Sequence, residues 1–110
     1  ARMVAPGAPD ALRDAAASWL DAVPTDVLAA ELRAYVDWPD LAPALERVRV
    51  PVRLLVGEED AACPPDRVVP LADHATDGRA EVLPGSGHTC FLEQPEATAA
   101  WLRRSLGDAA

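Results

Sequence analysis

Two residues of this sequence, Asp60 in the run GEED and His88 in the run GSGHT, are of the types that do acid–base chemistry as a pair. An Asp that accepts the Nδ1–H of a His fixes the tautomer and stabilises the imidazolium formed when Nε2 takes a proton from a nucleophile. Taken singly, each has a plainer reading. Asp60 follows Glu58 and Glu59 and would be a solvated acidic loop residue, and a lone His after a G-x-G turn is more often a loop residue than a catalyst. His74 falls on a predicted helix and reads as surface. Nucleophiles are scarcer: Ser18 and Ser105 lie on predicted helices, and Ser86, two positions before His88, reads as a turn residue that hydrogen-bonds locally.

The pair gains weight from the elements that carry it. Residues 52–56, VRLLV, are almost continuously apolar, as in a parallel strand covered on both faces, and Gly57 marks the end. A helix starting near Arg67 and running to about Ala75, with Pro70 in its first turn, leads to the turn Asp77-Gly78 and a second strand over residues 79–83. A right-handed strand–helix–strand unit makes the two strands parallel, and their carboxyl ends then share an edge. Asp60 lies four residues past the first strand and His88 five past the second, so both loops leave the edge where open α/β sheets place their ligands. Neighbouring strands are only about 4.8 Å apart, which lets side chains on the two loops meet. A final helix has Pro95 near its first position, Glu93 and Glu96 near its positive end, Arg103 and Arg104 near its negative end, and Gly107 as its stop. Ala97, Trp101, Leu102 and Leu106 form its apolar face.

The half before Val48 is helical in pattern. Pro9 or Asp10 opens a segment with Leu12, Ala16, Trp19, Leu20 and Val23 at helical spacing, closed by Pro24. Thr25 serves as N-cap of a second helix with Leu28, Leu32, Tyr35 and Val36 on one face, interrupted at Trp38-Pro39-Asp40. A short helix through Leu41, Leu45 and Val48 ends before Pro51. Trp19, Tyr35 and Trp38 could line a pocket, but helix-spaced aromatics are more often core.

With these pieces in order, the stretch DLAPALERVRVPVRLLVGEEDAACPP and, one helix later, AEVLPGSGHTCFLEQPEATAAWL resemble the closing segment of α/β-hydrolases of the esterase, lactonase and cofactor-free haloperoxidase type. The shared features are an apolar strand after a "VPV" entry, a G-x-x-D acid turn, a strand, G-x-G-H, and E-x-P-E opening the last helix. The resemblance implies an incomplete α/β fold: the last two parallel strands, as βαβα over residues 48–110, preceded by a helical lid remnant over residues 1–47. It also implies that Asp60 and His88 are the acid and histidine of a catalytic triad acting on a small-molecule ester, thioester or lactone, without cofactor. The family's serine sits on a G-x-S-x-G elbow that this sequence lacks. The 110 residues alone are therefore expected to be inactive. A haloalkane- or epoxide-cleaving relative with an Asp nucleophile and a non-catalytic remnant pairing with a partner chain are the alternatives.

Composition narrows the remaining classes. A formal charge of −8 disfavours nucleic acid and anionic membranes as partners. No apolar run approaches bilayer length and no signal-peptide pattern opens the sequence, so a cytoplasmic location is the default expectation. Cys63 and Cys90 fit no zinc pattern, and no metal is expected. They lie three and two positions after Asp60 and His88, so their loops should be close, and a disulfide between them would need a Cα separation of about 4.4 to 6.8 Å that sequence does not guarantee. The apolar strand 52–56 would expose an edge that invites self-association.

Overall fold

The computed structural model describes residues 3–36 and 40–107. A β-strand β1 (Val52–Gly57) and a second, β2 (Gly78–Leu83), pair in parallel with Val52 opposite Gly78 and Gly57 opposite Leu83. Helices α1 (Asp10–Asp21), α2 (Thr25–Val36) and α3 (Ala42–Leu45) precede them, and α4 (Pro65–Val68) lies between them. Beyond the second strand come α5 (Cys90–Glu93) and α6 (Pro95–Gly107).

The connection between the strands starts earlier and winds more tightly than the sequence predicts. It begins at Pro65 rather than near Arg67, and after Val68 it narrows to a 3-10 turn over Val69–His74. Pro70 supplies the reason: it has no N–H to donate to the carbonyl four residues back, so the α-helical ladder cannot pass through it. Proline also divides the end of the chain. The turn α5, absent from the sequence reading, stops at Gln94, whose φ of −138° and ψ of 68° are non-helical as expected for a residue before proline. Pro95 then opens α6, and the Thr98 amide donates to the Gln94 carbonyl (3.0 Å). At α2 the Leu28 amide donates to the Pro24 carbonyl (3.0 Å), so Thr25 is the first helical residue rather than the N-cap. Asp40 does act at a helix start, accepting the Ala42 amide on Oδ1 (3.0 Å).

Burial concentrates in two places. Val4, Ala8 and Ala16 pack together with Met3 and Leu12, joining the N-terminal segment to α1. Arg13 reinforces that junction, donating to the carbonyls of Pro6 (3.0 Å) and Ala8 (2.6 Å) and pairing with Asp10. Val56, Ala72 and Leu83 are buried at the carboxyl end of the strands and under the crossover. Elsewhere the expected burial is not met. Residues 52–55 of β1 are only half-buried, because each strand has one neighbour among the described residues. On α6 the buried residue is Thr98, while Leu102 and Leu106 are exposed. Trp19 (50% exposed) and Tyr35 (62% exposed) are not core, α2 buries none of its side chains, and Trp38 lies outside the described residues. The radius of gyration of 15.5 Å agrees with this openness, since about 13 Å is typical of a compact domain of this length. Among the described residues no helix is long and apolar enough to cross a membrane.

Candidate active site

The carboxyl ends of the two strands are laced together before either loop reaches its functional residue. The amides of Glu58 and Glu59 donate to the carbonyls of Leu83 (2.9 Å) and Ser86 (2.8 Å), and the Glu58 carboxylate accepts the Gly85 amide (3.0 Å). The approach is so close that a Cβ on Gly57 would collide with the backbone oxygens of Ser86 and Gly87. Glycine stands there because nothing larger fits between the two loops.

From this seam the acid turn folds over Asp60, which is 6% exposed. Its Oδ1 accepts the amides of Ala62 and Cys63, each at 2.9 Å. A short polar side chain that bonds the backbone two and three residues on makes its own turn, and here it also aims the second oxygen. That oxygen, Oδ2, lies 2.9 Å from His88 Nδ1. The sequence expectation that the two side chains meet is satisfied at direct hydrogen-bond distance. His88 itself is 35% exposed on its side chain, and no described residue bonds Nε2. A nearly buried, tethered carboxylate on one ring nitrogen, with no described residue bonded to the other, is an arrangement able to accept a proton at Nε2.

The remaining candidates separate cleanly. Ser86 is fully buried, and contrary to the local hydrogen bond expected of a turn residue its Oγ has no partner among the described residues. It has no access to a substrate. Ser18 and Ser105 are on α1 and α6 as expected. His74 stands at the end of the 3-10 turn, 3.6 Å from Glu46, remote in role from the pair. Cys63 and Cys90 are both free thiols. No cluster of three or more potential metal ligands occurs among the described residues.

Two neighbours were not foreseen. The Tyr35 hydroxyl at the end of α2 lies 3.4 Å from the Ala62 carbonyl and 3.8 Å from Cys63 Sγ, so the helical half reaches the acid turn. Bonding to Cys63, aided by the thiol's charge when ionised and by partial desolvation, raises the Tyr35 pKa above its ordinary value. On the other loop, Thr89 donates its amide (3.0 Å) and its hydroxyl (2.9 Å) to the Met3 carbonyl. The first half thus touches both loops, through the segment before α1 and through one tyrosine, and not through a buried helical face. A cleft of about 400 Å³ opens between that segment and α1, lined by Met3, Val4, Ala5, Ala16 and Leu20 among others.

Comparisons with known proteins bear on the fold. A family model described as "Alpha/beta hydrolase family" matches residues 1–101. Among solved structures, a thermophilic esterase from Thermogutta terrifontis, determined with malate bound, is similar at 33% identity and a TM-score of 0.54 over 63% of this chain. The chain spans 27% of that esterase. No curated protein matches it. Two parallel strands with their flanking helices, an acid turn and a histidine loop on one sheet edge, and a family match over nearly the whole length establish that this chain belongs to the α/β-hydrolase family.

Proposed function

We propose that the chain supplies the base and its orienting acid to a serine hydrolase acting on an ester, thioester or lactone. The observation that carries this reading is the 2.9 Å contact between His88 Nδ1 and a nearly buried Asp60 whose other oxygen is held by two amides. With the carboxylate fixed, the ring proton stays on Nδ1, and Nε2 presents its lone pair. A serine hydroxyl from outside these 110 residues would give its proton to Nε2 as its oxygen attacks the acyl carbon. The imidazolium so formed is stabilised by Asp60, and it returns the proton to the departing alcohol, thiol or ring oxygen. Water then repeats the cycle and releases the acid. The apolar cleft beside α1 shares Val4 and Ala5 with the wall of the His88 loop and has room for an aliphatic acyl group.

The esterase likeness favours a serine nucleophile over the aspartate of haloalkane- or epoxide-cleaving relatives. A purely non-catalytic remnant has no need to hold Asp60 and His88 in register.

The test uses the complete gene product that carries this chain, the isolated 110 residues, and the His88→Ala variant of the former. Turnover of p-nitrophenyl acetate and labelling of a serine by a fluorophosphonate are expected in the first and not in the other two. Turnover by the isolated chain, or full activity after His88→Ala, would refute the assignment. Haloalkane or epoxide turnover without fluorophosphonate labelling would transfer it to the aspartate class.

A further inference from the structure

The loop that carries His88 is held from behind by a residue that does not touch the base. Glu93, the last residue of α5, points its carboxylate back under the loop. Its Oε1 accepts the amides of Ala5 (2.6 Å) and Gly87 (3.0 Å), and its Oε2 lies 3.1 Å from the same Gly87 amide. The Glu93 amide in turn donates to the Thr89 carbonyl (3.1 Å). One residue therefore grips the chain immediately before His88 through its carboxylate and immediately after it through its backbone. The Thr89 hydroxyl stands 3.3 Å from Oε2, although its single proton serves the nearer Met3 carbonyl.

The grip has physical force because both amide bonds end on an ionised, part-buried acceptor, and charge-assisted hydrogen bonds are roughly twice as strong as neutral ones. It is also geometrically tight. A Cβ on Gly87 would lie 2.5 Å from the Ala5 nitrogen and 2.6 Å from the Val4 carbonyl carbon, so the loop and the N-terminal segment meet backbone to backbone. Glu93 is the acceptor common to both.

We propose that Glu93 is a positioning residue for His88, setting the direction of Nε2 by fixing the backbone on each side of the base; this rests on the assignment of His88 as the base. The experiment compares Glu93→Gln and Glu93→Ala in the complete gene product labelled with ¹⁵N-histidine. It reads the Nδ1–H resonance of His88 and its exchange with water, together with kcat and KM for p-nitrophenyl acetate. In Glu93→Ala the resonance should broaden or vanish and kcat should fall on the order of 10- to 100-fold, the range for a misplacement of up to about 1 Å, with KM within about threefold. Glu93→Gln keeps an oxygen able to accept the Gly87 amide, so it should fall between wild type and Ala in both readouts. If Glu93→Ala does not fold, the Gln variant decides alone: faster Nδ1–H exchange in a folded protein supports the role, and unchanged exchange overturns it. An unchanged resonance in a folded Glu93→Ala protein also overturns it. The resonance is read without substrate, so a wild-type protein lacking esterase activity would sink the hydrolase reading while the positioning by Glu93 is still measured.

Discussion

Replacing Gly57 by alanine adds one methyl group at the seam between the acid turn and the His88 loop. Its Cβ would fall inside the contact distance of the Ser86 and Gly87 carbonyl oxygens, neither of which is the end of a flexible side chain. Restoring an ordinary C···O separation of roughly 3.3–3.6 Å requires the two loops to part by about 1 Å. The Ser86 carbonyl is also the acceptor of the Glu59 amide at 2.8 Å, so the parting strains that bond first and then the 2.9 Å contact between Asp60 and His88. Overpacking of this kind typically costs about 1–3 kcal/mol, and a displacement of about 1 Å in a catalytic group can cost about 100-fold in rate. In the complete gene product Gly57→Ala should therefore lower kcat/KM for p-nitrophenyl acetate by about two orders of magnitude. It should also reduce the denaturation free energy by about 1–3 kcal/mol in urea titrations. A variant with wild-type turnover and an unshifted urea midpoint would show that the loops absorb a methyl group without moving, and the argument from close approach would fail.

Asp60→Asn keeps the shape of the acid turn but offers no charge to the imidazolium; kcat should drop by about 10⁴, as when the Asp of a serine-protease triad is replaced by Asn, with KM little changed. The Arg53 guanidinium holds the Asp77 carboxyl below its ordinary value of 3.8, chiefly by hydrogen bonding. A depressed folded-state value means the pair's stabilisation is present above that ordinary value and is lost as pH falls through the lower folded one; Arg53→Met should return the Asp77 titration seen by NMR to the usual carboxylate range. Trp19, Leu32, Val36 and Leu106 are exposed, and exposed apolar side chains of this kind favour association if they form a contiguous patch. Sedimentation of the 110 residues should show concentration-dependent association, and a monomer at 100 µM would contradict this.

Strand, crossover, strand and final helix were legible from local signals: an apolar run of strand length, prolines at turns, a Gly-closed helix. The pairing of Asp60 with His88 followed from topology, because parallel strands bring their outgoing loops to one edge. What the sequence concealed was of a different kind. Periodicity assigns Leu32, Tyr35 and Leu106 to apolar faces, but it cannot say whether another element buries those faces, and all three side chains stay exposed. Glu93 reads as a charge near a helix start, consistent with the macrodipole, and only coordinates reveal that its carboxylate turns back to Ala5 and Gly87. The E-x-P-E run was the one available signal. Tyr35 meeting Cys63, 28 residues away, left no trace in local pattern.

The bond between Met3 and Thr89 joins residues 86 apart in sequence. Closing a flexible loop of that length costs about 4 kcal/mol in chain entropy before constants, against about 3 kcal/mol for the 28 residues between Asp60 and His88. The entropy of such a closure must be met before the contact rewards it, which slows folding. The loop that carries the imidazole is thus tied down by a closure spanning most of this chain, at a greater entropic cost than the contact between Asp60 and His88 itself.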